Sequence, residues 1–476
     1  MRRFLLTFLA AFFILMGTCW ATNRFAPHLV PDSPSYTEYS FESAETVASQ
    51  IRTLGYPVLL RLSGIVGERN ANQTMVLIHI ALQAMAVTLL ACELRAWGAT
   101  RTATIVAAAS LAIGCTFWDH VNTIATDAPA MSLAVVVGVL LLRTYRVASD
   151  GKWLALIGTF TAVVIFIRPA YLVLIPWSVL IVLGRPSSLV SRRFVEASMV
   201  AVVPVVMVLA WCGFRFAAVS DFGFLPFGHQ NMAAVTTQLL DADELESLPG
   251  DLGTLGANIA DRRVEMAAAD REYSDGLDLR PVPNAEQRAD SYTTIENRWD
   301  AMTYMVVIPA AAELEPDSVR QHQLLARMDQ TIVTQYPSRY AKWFALAVRR
   351  GVWGSLADTI MHPIFFGVAL LGIASLCWGC WRLLSQSSEA TLATRMNAGR
   401  WRLLATLTVI TLSYWLSNIA FVALTSPPIG RFSDAAAVWI PVWLTVVVAE
   451  GYASFSISLS NASSSSGDKS DASMSE

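Results

Sequence analysis

The sequence predicts an all-α protein that crosses a membrane about ten times and carries a mainly helical subdomain outside the bilayer. The first reason is composition, since 54% of the 476 residues are apolar and only 15% are charged, whereas soluble proteins carry about 25% charged residues. The second is a series of apolar stretches that approach the roughly 20 residues needed to cross a hydrocarbon core. The third is an imbalance of arginine between alternate loops.

The same arithmetic excludes other classes. Glycine, proline and cysteine number 26, 20 and 6, which argues against a collagen-like, disordered or disulfide-stapled chain. The net charge of −3 offers no basic surface for nucleic acid. Cys377 and Cys380 have the spacing of a redox or metal motif, but they lie in an apolar run without nearby His or acidic residues. We therefore interpret them as packed thiols.

Ten apolar stretches are the predicted spans. They cover residues 4–22, 74–94, 102–118, 128–145, 153–168, 170–184, 195–217, 360–381, 403–424 and 435–454. The first follows two arginines but shows no convincing small-residue cleavage site, so it is interpreted as an uncleaved anchor.

Basic residues in the short loops predict the orientation. The loops on the side of the N-terminus hold Arg2, Arg3, Arg95, Arg101, Arg143, Arg146, Lys152, Arg185, Arg192, Arg193, Arg382, Arg395, Arg400 and Arg402. The opposite short loops hold only Arg168 and Arg431. By the positive-inside rule, both termini are predicted to be cytoplasmic in a multi-pass protein of the plasma (inner) membrane.

These boundaries divide the chain into four parts. Residues 1–217 form an N-terminal membrane module of seven spans, with a first outer loop at 23–73. Residues 218–358 are too long for a structureless connection and are predicted to form a helical extracytoplasmic subdomain. Residues 359–459 form a C-terminal module of three spans, and the Ser-rich tail at 460–476 is predicted to be disordered.

Candidate functional residues lie at the outer rim, because no acidic residue or histidine pattern marks a path through the membrane midplane. Asp32 follows the first span in the segment Pro31-Asp-Ser-Pro-Ser-Tyr36. A carboxylate held there can accept a proton from a hydroxyl group. The alternative interpretation is an Asx turn in which Asp32 caps its own backbone before Pro34.

The order of motifs around Asp32 resembles a known family. Asp32-Ser-x-x-Tyr36 is followed by Arg52-Thr-Leu-Gly-Tyr-Pro57, and Thr126-Asp-Ala-Pro129 opens the fourth span. This succession resembles the GT-C superfamily of membrane glycosyltransferases, in particular bacterial relatives of the protein O-mannosyltransferases. The chain departs from that pattern at Leu54, where relatives commonly have Pro, and at Ser33, where many have a second acid.

The resemblance implies a GT-C-like fold and a cell-envelope enzyme that moves a sugar from a polyprenyl-phosphate donor to an acceptor hydroxyl. Asp32 would be the base of an inverting displacement, and a departing phosphate needs cationic stabilisation. Candidate ligands for donor and acceptor are Arg431, Arg168, Arg52, Arg215, Asp127 and Tyr36. The acceptor can be a lipid, a polysaccharide or a protein, and the requirement for a divalent metal is left open.

The sequence also allows structural roles for these residues and a different function for the protein. Each arginine can simply extend to the membrane interface, and Asp127 can cap the fourth span ahead of Pro129. At the level of function, the alternative is a lipid or polymer transporter, or a non-catalytic membrane scaffold. In either case membrane lipids surround the protein and no nucleic acid partner is expected.

The orientation is testable with reporter fusions. Fusions after Arg24 and within residues 240–330 are expected to report an extracytoplasmic position, and fusions after Arg146, after Arg193 and at the C-terminus a cytoplasmic one, because basic loops remain inside. Paired phosphatase and fluorescent-protein fusions measure both states. A cytoplasmic signal from residues 240–330 would reverse the predicted sidedness.

Overall fold

The computed structural model describes residues 2–64, 71–147, 150–186, 189–226, 228–270, 292–361, 365–374, 377 and 393–467. Helices form nearly all of the regular structure in these ranges. The remainder includes an isolated β-bridge between His28 and Thr123, which joins the first outer loop to the loop before the fourth span. The all-α class predicted from the sequence is confirmed.

The first half of the chain contains eleven α-helices in the described residues. They are α1 Arg2–Ala21, α2 Pro34–Thr37, α3 Ala44–Ser49, α4 Gly55–Gly64, α5 Ala71–Ala96, α6 Arg101–Ala112, α7 Cys115–Trp118, α8 Asp127–Arg146, α9 Gly151–Ile167, α10 Leu174–Leu183 and α11 Val190–Val219. A 3₁₀ turn at Pro169–Val173 joins α9 to α10.

The second half alternates short and long helices. They are α12 Gly228–Thr236, α13 Ala242–Glu246, α14 Asp251–Asp270, α15 Tyr292–Ala301, α16 Ile308–Leu314, α17 Ser318–Gln335, α18 Pro337–Ile360, α19 Phe365–Ala374, α20 Ala393–Ala423, α21 Arg431–Ala437 and α22 Ile440–Gly467. A 3₁₀ turn at Thr237–Leu239 follows α12, and a π-helical turn at Met302–Val307 separates α15 from α16.

Seven helical segments of the described chain are long and apolar enough to cross a membrane. Three shorter apolar helices, at Gly151–Ile167, Pro169–Leu183 and Phe365–Ala374, coincide with the other three predicted spans. Proline shortens the first two, because Pro169 has no N–H to donate and disfavours helical geometry in the residue before it. Part of the predicted span at 360–381, including Cys380, lies outside the described residues.

The membrane part is organised around α8, in which almost every residue is buried. Helices α5 and α9 pack against it, α1 packs on α5, and α11 packs on α9. By contrast, α1 buries only Leu15 and Cys19 and leaves Leu6 and Ile14 exposed. Exposed apolar faces of this kind fit contact with lipid tails, which are as apolar as leucine.

A second hydrophobic core occupies the segment predicted to be an outer subdomain. It includes Leu239, Leu255, Val306 and Leu325, and Ala423 at the end of α20 joins it to the membrane part. Asp317 caps α17 within this subdomain, because its side chain accepts a hydrogen bond from the Arg320 N–H at 2.9 Å.

Residues 342–353, which precede the eighth predicted span, are rich in aromatic and basic side chains and all lie in α18. Some of these side chains are buried and others are exposed. Trp343 is fully buried in the second core, whereas Trp353 is 65% exposed. Only part of this segment is therefore free to contact a membrane surface.

The polar tail begins later than the sequence suggests. Helix α22 continues to Gly467, past Ser460, and residues 468–476 lie outside the described range. The predicted disorder of 460–467 is thus replaced by helix. Adding residues to an existing helix is far cheaper than starting one, so the apolar part of α22 can propagate into a serine-rich run.

Buried glutamates join helices at the end of the bundle opposite the first outer loop. Each is at most 5% exposed and faces an arginine of another segment. The pairs are Glu93 with Arg146 at 2.7 Å, Glu196 with Arg185 at 2.7 Å and Glu450 with Arg400 at 3.5 Å. Such charges are tolerated at low dielectric only when they are paired.

Removing one partner of such a pair should be costly. Arg146→Met leaves Glu93 buried beside the more distant Arg143, so we expect a loss of stability of about 3–5 kcal/mol, as for other broken buried pairs. Unfolding of the purified protein in detergent measures the change. The double variant Glu93→Leu with Arg146→Met should recover most of it.

The matched control is Arg327→Met, which removes an ion pair to Asp251 in which both side chains are more than half exposed. An exposed pair contributes about 0–1 kcal/mol, so its loss should change the unfolding midpoint little. Equal effects of the two arginine substitutions would contradict the role assigned to Glu93.

Candidate functional site

The first outer loop places Asp32 between two arginines that are far away in the sequence. Asp32 Oδ1 lies 2.9 Å from Nη2 of Arg52, and Asp32 Oδ2 contacts Nη1 of Arg431. The side chains of Asp32 and Arg52 are 19% and 17% exposed, and that of Arg431 is 37% exposed. A dissolved or lipid-linked anion can therefore reach these groups. We call Asp32, Arg52 and Arg431 the outer triad.

Ser33 fixes the position of Asp32. Its hydroxyl group donates to the carbonyl oxygen of Ile124 at 2.8 Å and accepts from the N–H of Val30 at 2.9 Å. The backbone of His28 also pairs with the loop before α8, at Asn122 and Ile124. The first outer loop is thus joined to the start of α8 on both sides of Asp32.

Arg52 is fixed by contacts of the next residues with the end of α9. Thr53 Oγ1 donates to the carbonyl oxygen of Phe166 at 2.6 Å. A Cβ atom on Gly55 would lie 2.3 Å from that same oxygen, so only glycine permits the approach. The Arg-Thr-x-Gly pattern therefore attaches the loop to the turn of chain that precedes Arg168.

An aromatic stack supports the guanidinium of Arg52. Its central carbon lies 4.7 Å from the ring centre of Tyr36, a cation–π distance, and its Nε donates to Ser35 Oγ at 2.8 Å. Tyr36 in turn packs edge-on against the fully buried Tyr56, with ring centres 5.2 Å apart. Arg52 is therefore held independently of Asp32.

Arg431 is the first residue of α21, and its direction depends on the residue before it. Gly430 adopts a φ of 52° and a ψ of −126°, a region that residues with a side chain rarely enter. The Arg431 guanidinium lies 5.7 Å from the ring centre of Phe432. One turn further on, Asp434 Oδ2 lies 2.8 Å from His120 Nε2, which ties α21 to the chain after α7.

Arg168 and Asp127 form an inner ion pair beneath the outer triad. Arg168 follows α9 in an extended conformation, with φ −143° and ψ 107°, as expected for a residue before proline. Its Nη1 contacts Asp127 Oδ1, and both side chains are less than 8% exposed. Arg168 also lies 5.2 Å from the Phe432 ring, so Phe432 bridges the inner pair and Arg431.

The outer triad keeps Asp32 ionised. Burial alone would raise the pKa of the Asp32 carboxyl, but the charges of Arg52 and Arg431 and their hydrogen bonds outweigh it and lower that pKa below its usual value. Asp32 therefore has the form that accepts a proton at neutral pH, although its basicity is reduced while both arginines hold it.

A tyrosine on the segment that carries the second core lies near this charge cluster. Tyr304 lies on the π-helical turn and is 52% exposed. Burial of its hydroxyl is the main cause that raises its pKa, and the negative charge of Asp32 adds to the shift while Arg52 and Arg431 oppose it. The π-helical turn is thus close enough to the outer triad for the charges to influence each other.

Six of the seven residues selected from the sequence are brought together, and one is not. Arg215 is fully buried elsewhere, where it donates to the carbonyl oxygens of Ala48 and Gly223 and pairs with Asp221 at 2.7 Å. Its guanidinium is occupied by these partners, so it anchors the first outer loop to the end of α11. We therefore leave Arg215 out of the proposed phosphate site.

The local alternatives are also resolved by contacts. The Asp32 carboxylate contacts two arginines, and no side chain caps the start of α2. The Asx-turn interpretation of Asp32 is therefore wrong. Asp127 is the first residue of α8 and pairs with Arg168 rather than capping the helix. In both cases an arginine from a distant segment offers a stronger, charge-assisted partner than the local backbone.

Sequence reasoning missed residues that position the site. Ser33 and Thr53 look like ordinary loop residues, and their hydrogen bonds reach carbonyl groups about a hundred positions away. Phe432 and Tyr304 carry no motif. The one available signal was that Phe432 directly follows Arg431, and aromatic rings commonly accompany arginine.

The residues present do not fit a divalent metal. Among the described residues, no group of three or more His, Cys, Asp or Glu side chains is placed to hold one. Asp32 and Asp127 each face an arginine, and Ser33, in the place of a second acid, bonds to Ile124. We derive no step through a metal.

The close approach of Gly55 to Phe166 predicts that a side chain at position 55 destabilises the protein. In Gly55→Ala the new methyl group must push α4 away from Phe166, so we expect a loss of stability of about 1–3 kcal/mol and a displaced Arg52. Thermal unfolding in detergent measures the first effect. The control is Gly64→Ala in the same helix, where nothing lies within 4 Å of the added Cβ. Equal unfolding midpoints for the two variants would contradict the proposed attachment.

Comparison with known proteins finds a distant likeness to a solved structure. No protein-family model and no curated protein sequence matches the chain. The crystal structure of ArnT from Cupriavidus metallidurans bound to undecaprenyl phosphate is similar, with a TM-score of 0.37 and 13% sequence identity over 95% of this chain and 77% of that chain. A likeness this distant assigns no family, and the site is interpreted from its own residues.

Proposed function

We propose that the protein is a membrane glycosyltransferase of the GT-C type that uses a polyprenyl-phosphate sugar. The observation that carries the proposal is the outer triad, in which a partly exposed carboxylate lies between two arginines. The motif order around Asp32 in the sequence supports it, because those motifs converge on one place. The enzyme class follows from what this triad can do chemically.

Arg52 and Arg431 are suited to hold the donor phosphate. A guanidinium binds phosphate oxygens through two parallel N–H groups, and both arginines have aromatic or hydroxyl supports besides Asp32. Arg168 lies deeper and is paired with Asp127, so it supports the site electrostatically rather than by reaching the ligand. Substitution of Arg431 or Arg52 is thus expected to affect phosphate binding most.

The position of the triad suits a lipid-linked donor. It lies where α8 and α21 begin and where α9 ends, all at one end of the membrane helices. A polyprenyl tail can remain in the bilayer while its phosphosugar reaches this rim. By the predicted orientation, this is the outer face of the plasma membrane.

The reaction would be an inverting displacement. The acceptor hydroxyl oxygen attacks the anomeric carbon as Asp32 takes its proton, and the bond from that carbon to the phosphate oxygen breaks. The electron pair leaves with the polyprenyl phosphate, whose growing negative charge Arg52 and Arg431 stabilise. No strong acid is needed, because a phosphate is already a good leaving group.

The first test is Asp32→Asn, which keeps the size of the side chain but accepts no proton at neutral pH. Transfer from a radiolabelled polyprenyl-phosphate sugar by purified protein should fall at least about 10²-fold, as for the loss of a general base. The unfolding midpoint should change little, because Ser33 and not the carboxylate attaches the loop. Near-normal transfer in Asp32→Asn would remove Asp32 from the role of base.

A second substitution separates phosphate binding from simple extension to the membrane interface. Arg431→Lys keeps the charge but loses the planar fork, so transfer should drop if Arg431 grips the leaving phosphate. The control is Arg24→Lys, another outer arginine, which pairs with the exposed Asp119. Activity retained in both variants would contradict the phosphate role, and a transporter would show no transfer in any variant.

A further inference from the structure

The two oxygens of Asp32 occupy the place where the guanidinium groups of Arg52 and Arg431 converge. Oδ1 faces Arg52 at 2.9 Å and Oδ2 faces Arg431. Carboxylate and phosphate oxygens are recognised by the same guanidinium geometry. The carboxylate proposed as the base therefore partly neutralises the two arginines proposed to hold the phosphate.

The guanidinium groups cannot hold both anions at this place. Asp32 contributes one negative charge against two positive ones, so the net charge of +1 on the triad still attracts a phosphodiester. However, the N–H groups that would hold the phosphate oxygens already face the Asp32 carboxylate. Two anions held side by side at this depth would repel each other, because water screens partly buried charges poorly. Binding of the phosphate then requires that the carboxylate turn away.

The arginines have supports that survive the departure of Asp32. Arg52 rests on Tyr36 and bonds to Ser35, and Arg431 rests on Phe432. The backbone at Asp32 is also fixed, since its carbonyl oxygen accepts from the Ser35 hydroxyl at 2.6 Å. Only the side chain of Asp32 needs to rotate.

We propose that Asp32 fills the donor-phosphate subsite of the free protein and that an incoming phosphate monoester or diester displaces it. This inference rests on the proposed function. The displaced carboxylate loses its two cationic partners and gains basicity only when the donor is in place. Donor binding thus precedes acceptor activation, and the acceptor hydroxyl is not deprotonated at a site that lacks a donor.

The test is an affinity that rises when the carboxylate is neutralised. Binding of decaprenyl phosphate to the full-length protein in nanodiscs is measured for the unaltered protein, Asp32→Asn, Arg431→Gln and Asp119→Asn. Asp32→Asn should bind about tenfold more tightly, since one charged competitor for the arginines is removed. Arg431→Gln should bind more weakly, and Asp119→Asn, an exposed outer carboxylate, should be unchanged.

Separate arms identify the source of the phosphate. Inorganic phosphate tests the headgroup alone, and decaprenol tests the lipid tail without a phosphate. The gain in affinity of Asp32→Asn should appear with decaprenyl phosphate and with inorganic phosphate, and it should be absent with decaprenol. Unchanged or weaker binding of decaprenyl phosphate by Asp32→Asn would overturn the inference, as would the absence of binding in both proteins. The thermal midpoint of Asp32→Asn excludes misfolding as the cause.

The transfer assay keeps this inference distinct from the proposed function. If the unaltered protein transfers sugar while Asp32→Asn gains no affinity, the enzyme stands and self-occupation is wrong. If the gain appears but no transfer is found with any sugar donor, the subsite stands and the glycosyltransferase proposal is wrong.

Discussion

The geometry of the site depends on the contact of Thr53 and Gly55 with the carbonyl oxygen of Phe166. This oxygen receives the Thr53 hydroxyl and leaves room for no more than the hydrogen of Gly55. Two residues later, Arg168 begins the break between α9 and α10. One oxygen thereby sets the spacing between the first outer loop and the inner ion pair, and everything that the triad does requires that spacing to persist.

The inner ion pair and the outer triad differ in burial, and this difference gives their charges different roles. The inner pair of Asp127 and Arg168 is almost completely buried, and the desolvation of such a pair consumes most of its Coulombic gain. Its contribution is orientation, because it fixes α8 against α9. The outer triad is more accessible, so its charges remain available for exchange with a ligand.

Much of the helical architecture could be predicted from the sequence because hydropathy reports directly on transfer into lipid. Nine of the ten apolar stretches correspond to helices, and the described part of the stretch at 360–381 includes the helix Phe365–Ala374. Helix ends were less accurate at α10 and α22, where a proline-induced 3₁₀ turn and propagation into serines decided the boundary. Both effects depend on neighbouring turns rather than on composition.

For the site, the sequence could identify charged residues but not their partners. Arg52 and Arg431 are 379 positions apart in numbering, and nothing local shows that both meet Asp32. Arg215, like these two, is an arginine at the predicted outer side of the membrane, yet it binds two backbone carbonyl oxygens and Asp221. Which role an arginine takes is decided by the tertiary fold.

The glutamate–arginine pairs at the far end of the bundle have a consequence for biosynthesis. Helix α5 emerges from the ribosome about fifty residues before Arg146, so Glu93 enters the bilayer region before its partner exists. During that interval Glu93 lacks its Arg146 partner, and an unpaired charge is expensive inside the bilayer. Glu450 is made last and finds Arg400 and the N–H of Thr100 already inserted. A chain truncated before α22 therefore lacks the acid that joins α22 to α20 and to the start of α6.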